Sequence, residues 1–272
     1  MNIRKITTLT PELSLFQYNE IPVLKLDHAI GSALISLQGA QLLQWQPLGQ
    51  TESVLWLSNI EPFQQGKAIR GGIPICYPWF NNAGTPAHGY ARTSLWQLTD
   101  YLIEVQQVKL SFTLFDENGI IEAKLHMQFD QNCTLTFTHY KQEEAQIAFH
   151  SYFNIEHIQN VEAQHLPTQC LNSLTNQIEN QPTTRKITEN VDCIYSVAPI
   201  SQSEIVDKQG QRIIRLQQYN ASDMVLWNPW HKVTSAMTEN AYQGMLCLET
   251  ARIQQPLPAK QEIKVTLSVL SY

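Results

Sequence analysis

The strongest pattern in the sequence is an alternation of apolar and polar residues with a period of two. Residues 108–114 and 121–129 both alternate in this way, and Asp116, Asn118 and Gly119 lie between them. Because successive side chains of a strand point to opposite faces, each segment predicts a strand with one buried face. The turn-forming residues between them predict that the two strands form a β-hairpin.

Similar short apolar segments recur along the chain, and helical periodicity is nearly absent. Further strands are predicted at 33–37, 42–45, 54–57, 133–138, 147–155, 194–197, 213–216, 224–227, 245–249 and 263–269. A short helical piece is predicted only near Val233–Met237. Many short strands separated by turns are typical of an all-β fold, a large antiparallel sandwich or barrel. The polar stretch from Pro167 to Glu189 is interpreted as a long surface excursion, so residues 1–272 are predicted to form a single domain.

The net charge and the cysteine content indicate which binding partners and which cellular compartment to expect. The formal net charge of −6 disfavours nucleic acid and anionic membranes as partners, because both require concentrated positive charge. The five cysteines are widely spaced and never form a Cys-x-x-Cys motif, which is typical of reduced thiols in the cytoplasm. The N-terminus lacks the apolar core of a signal peptide, and no apolar run is long enough to cross a bilayer. A cytoplasmic protein is therefore expected.

The segment Ala68–Trp96 lacks strand or helix periodicity and concentrates residues that suit ligand binding. Arg70 and Arg92 offer planar donor groups for an oxyanion such as a phosphate, and Gly71-Gly72 allows a ligand to approach the backbone. Loops of this kind often carry function. The alternative is that both arginines are solvated surface residues and that the segment only closes one end of the sheet.

Two titratable residues on predicted strands are candidates for acid and base chemistry. In the strand 147–155, His150 shares a face with Tyr152 and Asn154, and partial burial could tune its pKa. Glu249 ends the apolar run Met245–Leu248, where a carboxylate either lies at the mouth of a strand or is buried at a cost. A structural histidine and a strand-end carboxylate are the alternative interpretations.

Other polar residues give weaker signals. Asp192 precedes a predicted strand and is either a turn residue or an acceptor for sugar hydroxyls, and His88 is either a polar ligand or a loop tip. The histidines show no metal-ligand spacing, so no metal is predicted. Glycine-rich nucleotide motifs and the Gly-x-Ser-x-Gly motif are also absent, which disfavours nucleotide cofactors and serine-hydrolase chemistry.

Several motifs occur in an order that resembles a known family. They are Gly39-Ala40-Gln41, Trp45-Gln46-Pro47, IRGGIPICYPWF, HGYAR, FHSYFNI, WNPW and LETA. This set resembles the aldose 1-epimerase superfamily, and within it the hexose-6-phosphate mutarotases of the bacterial YeaD-like branch. The resemblance implies a β-sandwich of the galactose mutarotase type, one domain and no cofactor.

The resemblance also implies roles for individual residues. His150 in FHSYF matches the family's general acid and Glu249 in LETA its general base. Arg70 in IRGG and Arg92 in HGYAR match the phosphate and sugar contacts. These roles imply an enzyme that opens and closes the ring of a hexose 6-phosphate, chiefly glucose 6-phosphate, and so interconverts its α and β anomers.

The remaining implications concern the substrate site and its alternatives. Asp192 matches an acidic residue that binds substrate, and His88 is carried over to the same site. The partner is expected to be a small molecule and the protein a monomer. Two other functions stay open, namely a mutarotase for unphosphorylated aldoses and a non-catalytic carbohydrate-binding module in which His150 and Glu249 only donate or accept hydrogen bonds.

Overall fold

Antiparallel β-strands dominate the protein, whose computed structural model describes residues 1–272. The 22 strands form three sheets. The helices are short 3₁₀ turns at Asn81–Ala83, Ala91–Thr93, Ile158–Asn160 and Ala241–Gly244. The predicted all-β antiparallel architecture is confirmed, and none of the helices has the length and apolar character needed to cross a bilayer.

The first sheet is a five-stranded meander in which each strand pairs with the next strand along the chain. Its strands are β1 (Ile3–Thr8), β2 (Leu13–Tyr18), β3 (Ile21–His28), β4 (Gly31–Ser36) and β5 (Gln41–Pro47). Leu24, Leu26 and Ile35 on its inner face are buried in the main core. The predicted strands at 33–37 and 42–45 correspond to β4 and β5.

The second sheet has nine strands and contains the predicted hairpin. Its strands, in spatial order, are β16 (Thr184–Lys186), β13 (Val161–Gln164), β18 (Ile200–Asp207), β19 (Arg212–Tyr219), β22 (Glu262–Ser271), β10 (Cys133–His139), β9 (Ile121–Phe129), β8 (Gln107–Phe115) and β7 (Gln97–Glu104). Strands β8 and β9 pair in antiparallel register, as predicted. In the turn between them, an Asp116 carboxylate oxygen accepts hydrogen bonds from the backbone N–H groups of Asn118 and Ile120.

The third sheet carries most of the candidate site residues. Its strands, in spatial order, are β15 (Gln177–Asn180), β14 (Gln169–Asn172), β17 (Val191–Ser196), β20 (Asp223–Asn228), β21 (Met245–Leu257), β11 (Ala145–Phe149) and β6 (Ile75–Cys76), while β12 (Tyr152–Asn154) also pairs with β21. One face of this sheet packs on the main core through residues such as Cys193, Leu226 and Leu248. The main core is a cluster of 53 buried residues to which all three sheets contribute. The opposite face of the third sheet is therefore free to form a binding surface.

Three sequence predictions need correction. The segment Val233–Met237 contains no helix and consists of turns and irregular backbone. Val233 is almost fully exposed, so a helix there would have no apolar face to bury. The predicted strand at 54–57 makes only isolated bridges at Leu55 and Leu57. The Pro167–Glu189 stretch, predicted as a surface excursion, forms strands β14, β15 and β16, of which β15 and β16 are edge strands of two different sheets.

The predicted strand at 147–155 is interrupted, and the interruption lies at the candidate acid. Strand β11 ends at Phe149, and β12 begins at Tyr152. The backbone N–H of Ser151 donates to the carbonyl of Phe149 over 2.8 Å, which bends the chain locally. The predicted alternation nevertheless holds, because Phe149 and Phe153 enter the main core while Tyr152 lies on the opposite face.

Candidate active site

Strand register on the third sheet brings residues from four strands into two adjacent rows. Directly opposed residues of paired strands share a face, and so do residues two apart on one strand. The first row consists of Asp192, Trp227, Cys247 and Tyr152. The second row, beside it, consists of Ile194, Val225, Glu249 and His150. Five of these residues line the floor of a cleft with a volume of about 370 Å³, namely Asp192, Trp227, Val225, Glu249 and His150.

His150 and Glu249 face each other at the interruption between β11 and β12. Phe149 pairs with Thr250 and Tyr152 pairs with Cys247, so the gap between these pairs places His150 opposite Glu249. His150 Nδ1 lies 3.4 Å from Glu249 Oε1. The two residues are 8% and 1% exposed, and both line the cleft. The structure thus brings together the predicted acid and the predicted base.

Aromatic rings hold the imidazole of His150 on three sides. The Tyr152 ring stacks on it with a centroid distance of 4.8 Å and an interplanar angle of 12°. The rings of Trp227 and His88 approach edge-on at 5.9 Å and 5.7 Å. The backbone N–H of His150 donates to the carbonyl of Pro74 over 3.0 Å. These contacts fix the orientation of the ring toward Glu249.

Burial shifts the pKa values of this pair in opposite directions. The pKa of Glu249 is raised well above its ordinary value, mainly because burial penalises the carboxylate and also because Asp192 is nearby. The pKa of His150 is lowered well below its ordinary value by burial and by the positive charge of His88, Arg70 and Arg92. Burial therefore favours the neutral form of the pair, in which the one proton is on the Glu249 carboxyl group.

Arg70 reaches the same cleft from the Ala68–Trp96 segment. Its Nη1 donates to the Tyr152 hydroxyl over 2.7 Å, and Nε and Nη2 donate to the Ser235 carbonyl and hydroxyl. The carboxylate of buried Glu61 accepts the backbone N–H of Arg70 over 2.7 Å and so fixes its position. The Arg70 guanidinium is thus separated from His150 by a single aromatic ring.

The two glycines after Arg70 allow the chain to pass close to its neighbours. A Cβ on Gly72 would lie 2.2 Å from the Leu42 carbonyl oxygen, and one on Gly71 would lie 2.6 Å from the Leu57 Cα. Both glycines also have positive φ angles, of 62° and 116°, that disfavour other residues. The Gly71-Gly72 pair therefore serves close backbone packing that positions Arg70, and not the approach of a ligand to the backbone.

His88 and Asp192 also line the cleft, whereas Arg92 does not. The pKa of His88 is lowered to about 4, first by burial and then by the charges of Arg92 and Arg70. Burial raises the pKa of Asp192, and the cation of Lys232 acts in the opposite sense. The Arg92 guanidinium donates to the Ala87 carbonyl over 2.7 Å and supports the loop that carries His88.

The cleft contains further residues that the sequence reasoning did not assign. Trp227 covers the floor, and Lys232 and Ser235 come from the loop after β20. Trp227 belongs to the WNPW motif, which was a usable signal. Ser235 lies in the segment Val233–Met237, for which the sequence predicts a helical piece, and Lys232 immediately precedes it; no pattern in the sequence marks either residue. Cys247 pairs with both Trp227 and Tyr152 but is fully buried beneath the cleft, as expected of a core thiol.

Comparison with known proteins identifies the family of this chain. The family model described as aldose 1-epimerase matches residues 22–269. The chain belongs to the aldose 1-epimerase family. This membership makes it an isomerase that acts on a carbohydrate, and the fold is the one that galactose mutarotase-like structures share.

Individual relatives of this aldose 1-epimerase family member cover nearly the whole chain. A Haemophilus influenzae protein named "Putative glucose-6-phosphate 1-epimerase" is 52% identical over 99% of both chains. An Escherichia coli protein of the same name is 33% identical over 90% of this chain and 88% of its own. A crystal structure of "a putative mutarotase (YeaD)" from Salmonella typhimurium has a TM-score of 0.93 at 28% identity, covering 99% of this chain and 97% of that one.

Proposed function

We propose that this protein interconverts the α and β anomers of hexose 6-phosphates, chiefly glucose 6-phosphate. The observation that carries the proposal is the pairing of His150 with Glu249 at the floor of a cleft that also contains Arg70. An imidazole and a carboxylate that face one ligand suit a reaction in which one proton is removed while another is supplied. The names of the relatives agree with this substrate.

The reaction consists of ring opening, rotation and closure. The Glu249 carboxylate removes the proton from the hydroxyl on C1, and protonated His150 supplies a proton to the ring oxygen. The bond between C1 and the ring oxygen breaks and leaves an aldehyde. After rotation about the C1–C2 bond the ring closes on the other face, and the two residues exchange roles.

The charge on the substrate helps to create the reactive protonation state. In the empty cleft, positive charge from Arg70 contributes to the low pKa of His150. A phosphate bound to Arg70 offsets that charge, so the pKa of His150 rises when the substrate binds. The proton shared by the pair then shifts toward the imidazole and leaves Glu249 as a carboxylate.

The other cleft residues bind the substrate away from the reacting atoms. Arg70 has the planar donor arrangement that suits a phosphate, and Lys232 supplies a second cation in the same cleft. Asp192 and His88 are placed to accept or donate hydrogen bonds with sugar hydroxyls. Arg92 acts indirectly, since its guanidinium supports the loop that carries His88.

We further propose that the protein acts as a monomer in the cytoplasm and does not bind nucleic acid. The five cysteines are free and buried, which agrees with a reducing compartment. The net charge of −6 opposes binding to a polyanion. Size-exclusion chromatography with light scattering tests the oligomeric state directly.

Exchange spectroscopy by NMR on glucose 6-phosphate tests the proposed activity. Wild-type protein is expected to accelerate exchange between the anomers, and Glu249→Gln is expected to lower the rate about 10²- to 10⁴-fold because the amide cannot accept the proton. Glu262→Gln, on the exposed surface of β22, is the matched control and is expected to retain full activity. Exchange at the spontaneous rate with wild-type protein would exclude the function and favour a carbohydrate-binding module.

A further inference from the structure

Cys247 is a buried nucleophilic residue that the proposed reaction does not use. It lies two residues before Glu249 on β21, on the same face, and directly opposite Tyr152. The potential ligand atoms of His150, Cys247 and Glu249 all lie within 4.8 Å of one another. The fold therefore brings an imidazole nitrogen, a thiol sulfur and a carboxylate oxygen to one point at the floor of the cleft.

Two polar atoms of this cluster lack a hydrogen-bond partner. They are Nδ1 of His150 and Oε2 of Glu249, and both atoms are inaccessible to solvent. The 3.4 Å separation of Nδ1 from Oε1 is close, but its geometry is not that of a hydrogen bond. Buried polar atoms without partners are uncommon and call for an explanation such as a bound ion.

The chemistry and spacing of the donors suit a zinc ion. Nitrogen, sulfur and oxygen donors are the ligands that Zn²⁺ takes in proteins, commonly with three side chains and one open position. Two ligand atoms at about 2.1 Å from a tetrahedral zinc ion lie roughly 3.4 Å apart. The separation of His150 Nδ1 from Glu249 Oε1 matches this value, and the thiol needs only a small movement to reach the ion.

We propose that His150, Cys247 and Glu249 form an inhibitory site for Zn²⁺. Binding releases two protons to solvent, one from the Cys247 thiol and one from the Glu249 carboxyl group, and it engages both residues of the proposed acid and base pair. The fourth position of the ion faces the cleft and is open to water or to an oxygen atom of a ligand. Zinc and substrate therefore exclude each other, and removal of the metal restores activity.

Metal binding is measured first, because this measurement does not require turnover. Metal-free wild-type protein is titrated with Cd²⁺, whose bond to a thiolate gives a charge-transfer absorption in the ultraviolet, and with Zn²⁺ by calorimetry. One ion is expected per chain. Cys247→Ala is expected to lose the charge-transfer band and to bind Zn²⁺ at least tenfold more weakly.

The matched control is Cys170→Ala, which removes a buried thiol from β14 in the same sheet. This variant is expected to bind both metals as the wild type does. Equal zinc affinity in wild type and Cys247→Ala would overturn the proposal, as would loss of the band in Cys170→Ala. If Cys247→Ala does not fold, X-ray absorption at the zinc edge of the wild-type protein tests the site instead. The absence of a sulfur atom among the atoms bonded to zinc would also refute it.

Inhibition of anomer exchange is measured next. Zinc is expected to inhibit the wild type competitively with the sugar phosphate, and a chelator is expected to restore the rate. Cys247→Ala is expected to keep its activity without metal and to need at least tenfold more zinc for the same inhibition. Equal inhibition of both proteins by zinc would refute the inhibitory role. Absence of anomer exchange in the metal-free wild type would refute the proposed function, but the result of the metal-binding measurement would still hold.

Discussion

Replacement of Arg70 by alanine distinguishes a phosphate-binding arginine from a structural one. The guanidinium donates to the Tyr152 hydroxyl and to two oxygens of Ser235 within the protein. These three hydrogen bonds support the cleft for any sugar. A bond to the substrate phosphate is available only when the sugar carries that group. The variant should therefore affect phosphorylated and unphosphorylated sugars differently.

The size of the difference follows from hydrogen-bond energies. A hydrogen bond to a charged group contributes about 1.5–3 kcal/mol, which corresponds to roughly 10- to 150-fold in kcat/KM. Loss of the bonds from Arg70 to Tyr152 and Ser235 weakens the site equally for both sugars, so its cost cancels in the comparison. The ratio of kcat/KM for glucose 6-phosphate over glucose should then fall about 10- to 150-fold in Arg70→Ala.

The assay compares anomer exchange on glucose 6-phosphate and on glucose, by NMR or by polarimetry of freshly dissolved sugar. Arg215→Ala is the control, because Arg215 forms its ion pair with Glu204 on the second sheet, away from the cleft. The expected loss appears mainly in KM for the phosphorylated sugar. An equal loss of kcat/KM on both sugars would refute the reasoning and assign Arg70 a structural role only.

Three other predictions concern the support of the site and the stability of the fold. Arg92→Ala should raise KM for both sugars by a similar factor, because the variant loses the hydrogen bond to the Ala87 carbonyl that supports the His88 loop. An increase in KM for glucose 6-phosphate alone would instead place Arg92 at the phosphate. Gly72→Ala should lower the free energy of unfolding by at least about 2 kcal/mol more than the control Gly66→Ala does. Gly66 has a similar positive φ, but a Cβ there would have no neighbour within 4 Å. Denaturant titration measures both variants, and equal losses of stability would contradict the prediction. Burial lowers the pKa of His139, so this histidine takes up a proton at a higher pH in the unfolded chain than in the folded chain. The free energy of unfolding should therefore decrease as the pH falls below about 6.5, and this dependence on pH should be weaker in His139→Asn. An unchanged dependence on pH in the variant would contradict this reasoning.

The alternation of residues predicted the β8–β9 hairpin and strand β22 together with their buried faces, but it did not indicate strands such as β1 and β18. In the segment 147–155 it correctly separated Phe149 and Phe153, which enter the main core, from Tyr152 on the opposite face. It could not predict that His150 lies opposite Glu249, because that position depends on the register between distant segments of the chain. Register is fixed by the packing of whole strands, and a single sequence does not report it.

The Val233–Met237 segment illustrates where residue type alone misleads, and Arg92 shows that the role of a loop arginine depends on its contacts. An arginine in a glycine- and proline-rich loop suggests an anion ligand, yet the Arg92 side chain turns toward a carbonyl of its own loop. The segment Val233–Met237 has residues compatible with a helix, but the carbonyl and hydroxyl of Ser235 within it accept hydrogen bonds from Arg70. For Val233–Met237 a tertiary contact overrides the local preference, whereas the Arg92 contact lies within its own loop.

The protonation of the pair shows most clearly what burial adds to a sequence-based mechanism. Solution pKa values favour an ionised Glu249 and a protonated His150 in mildly acidic solution. Burial moves both pKa values the other way, so the empty cleft favours the unreactive neutral pair. Arg70 contributes to this state and is also the residue best placed to receive the phosphate, separated from His150 only by the Tyr152 ring. The phosphate of the substrate is thus coupled electrostatically, through Arg70, to the protonation of His150 at the reacting C1 end. An unphosphorylated sugar lacks the negative charge that raises the pKa of His150.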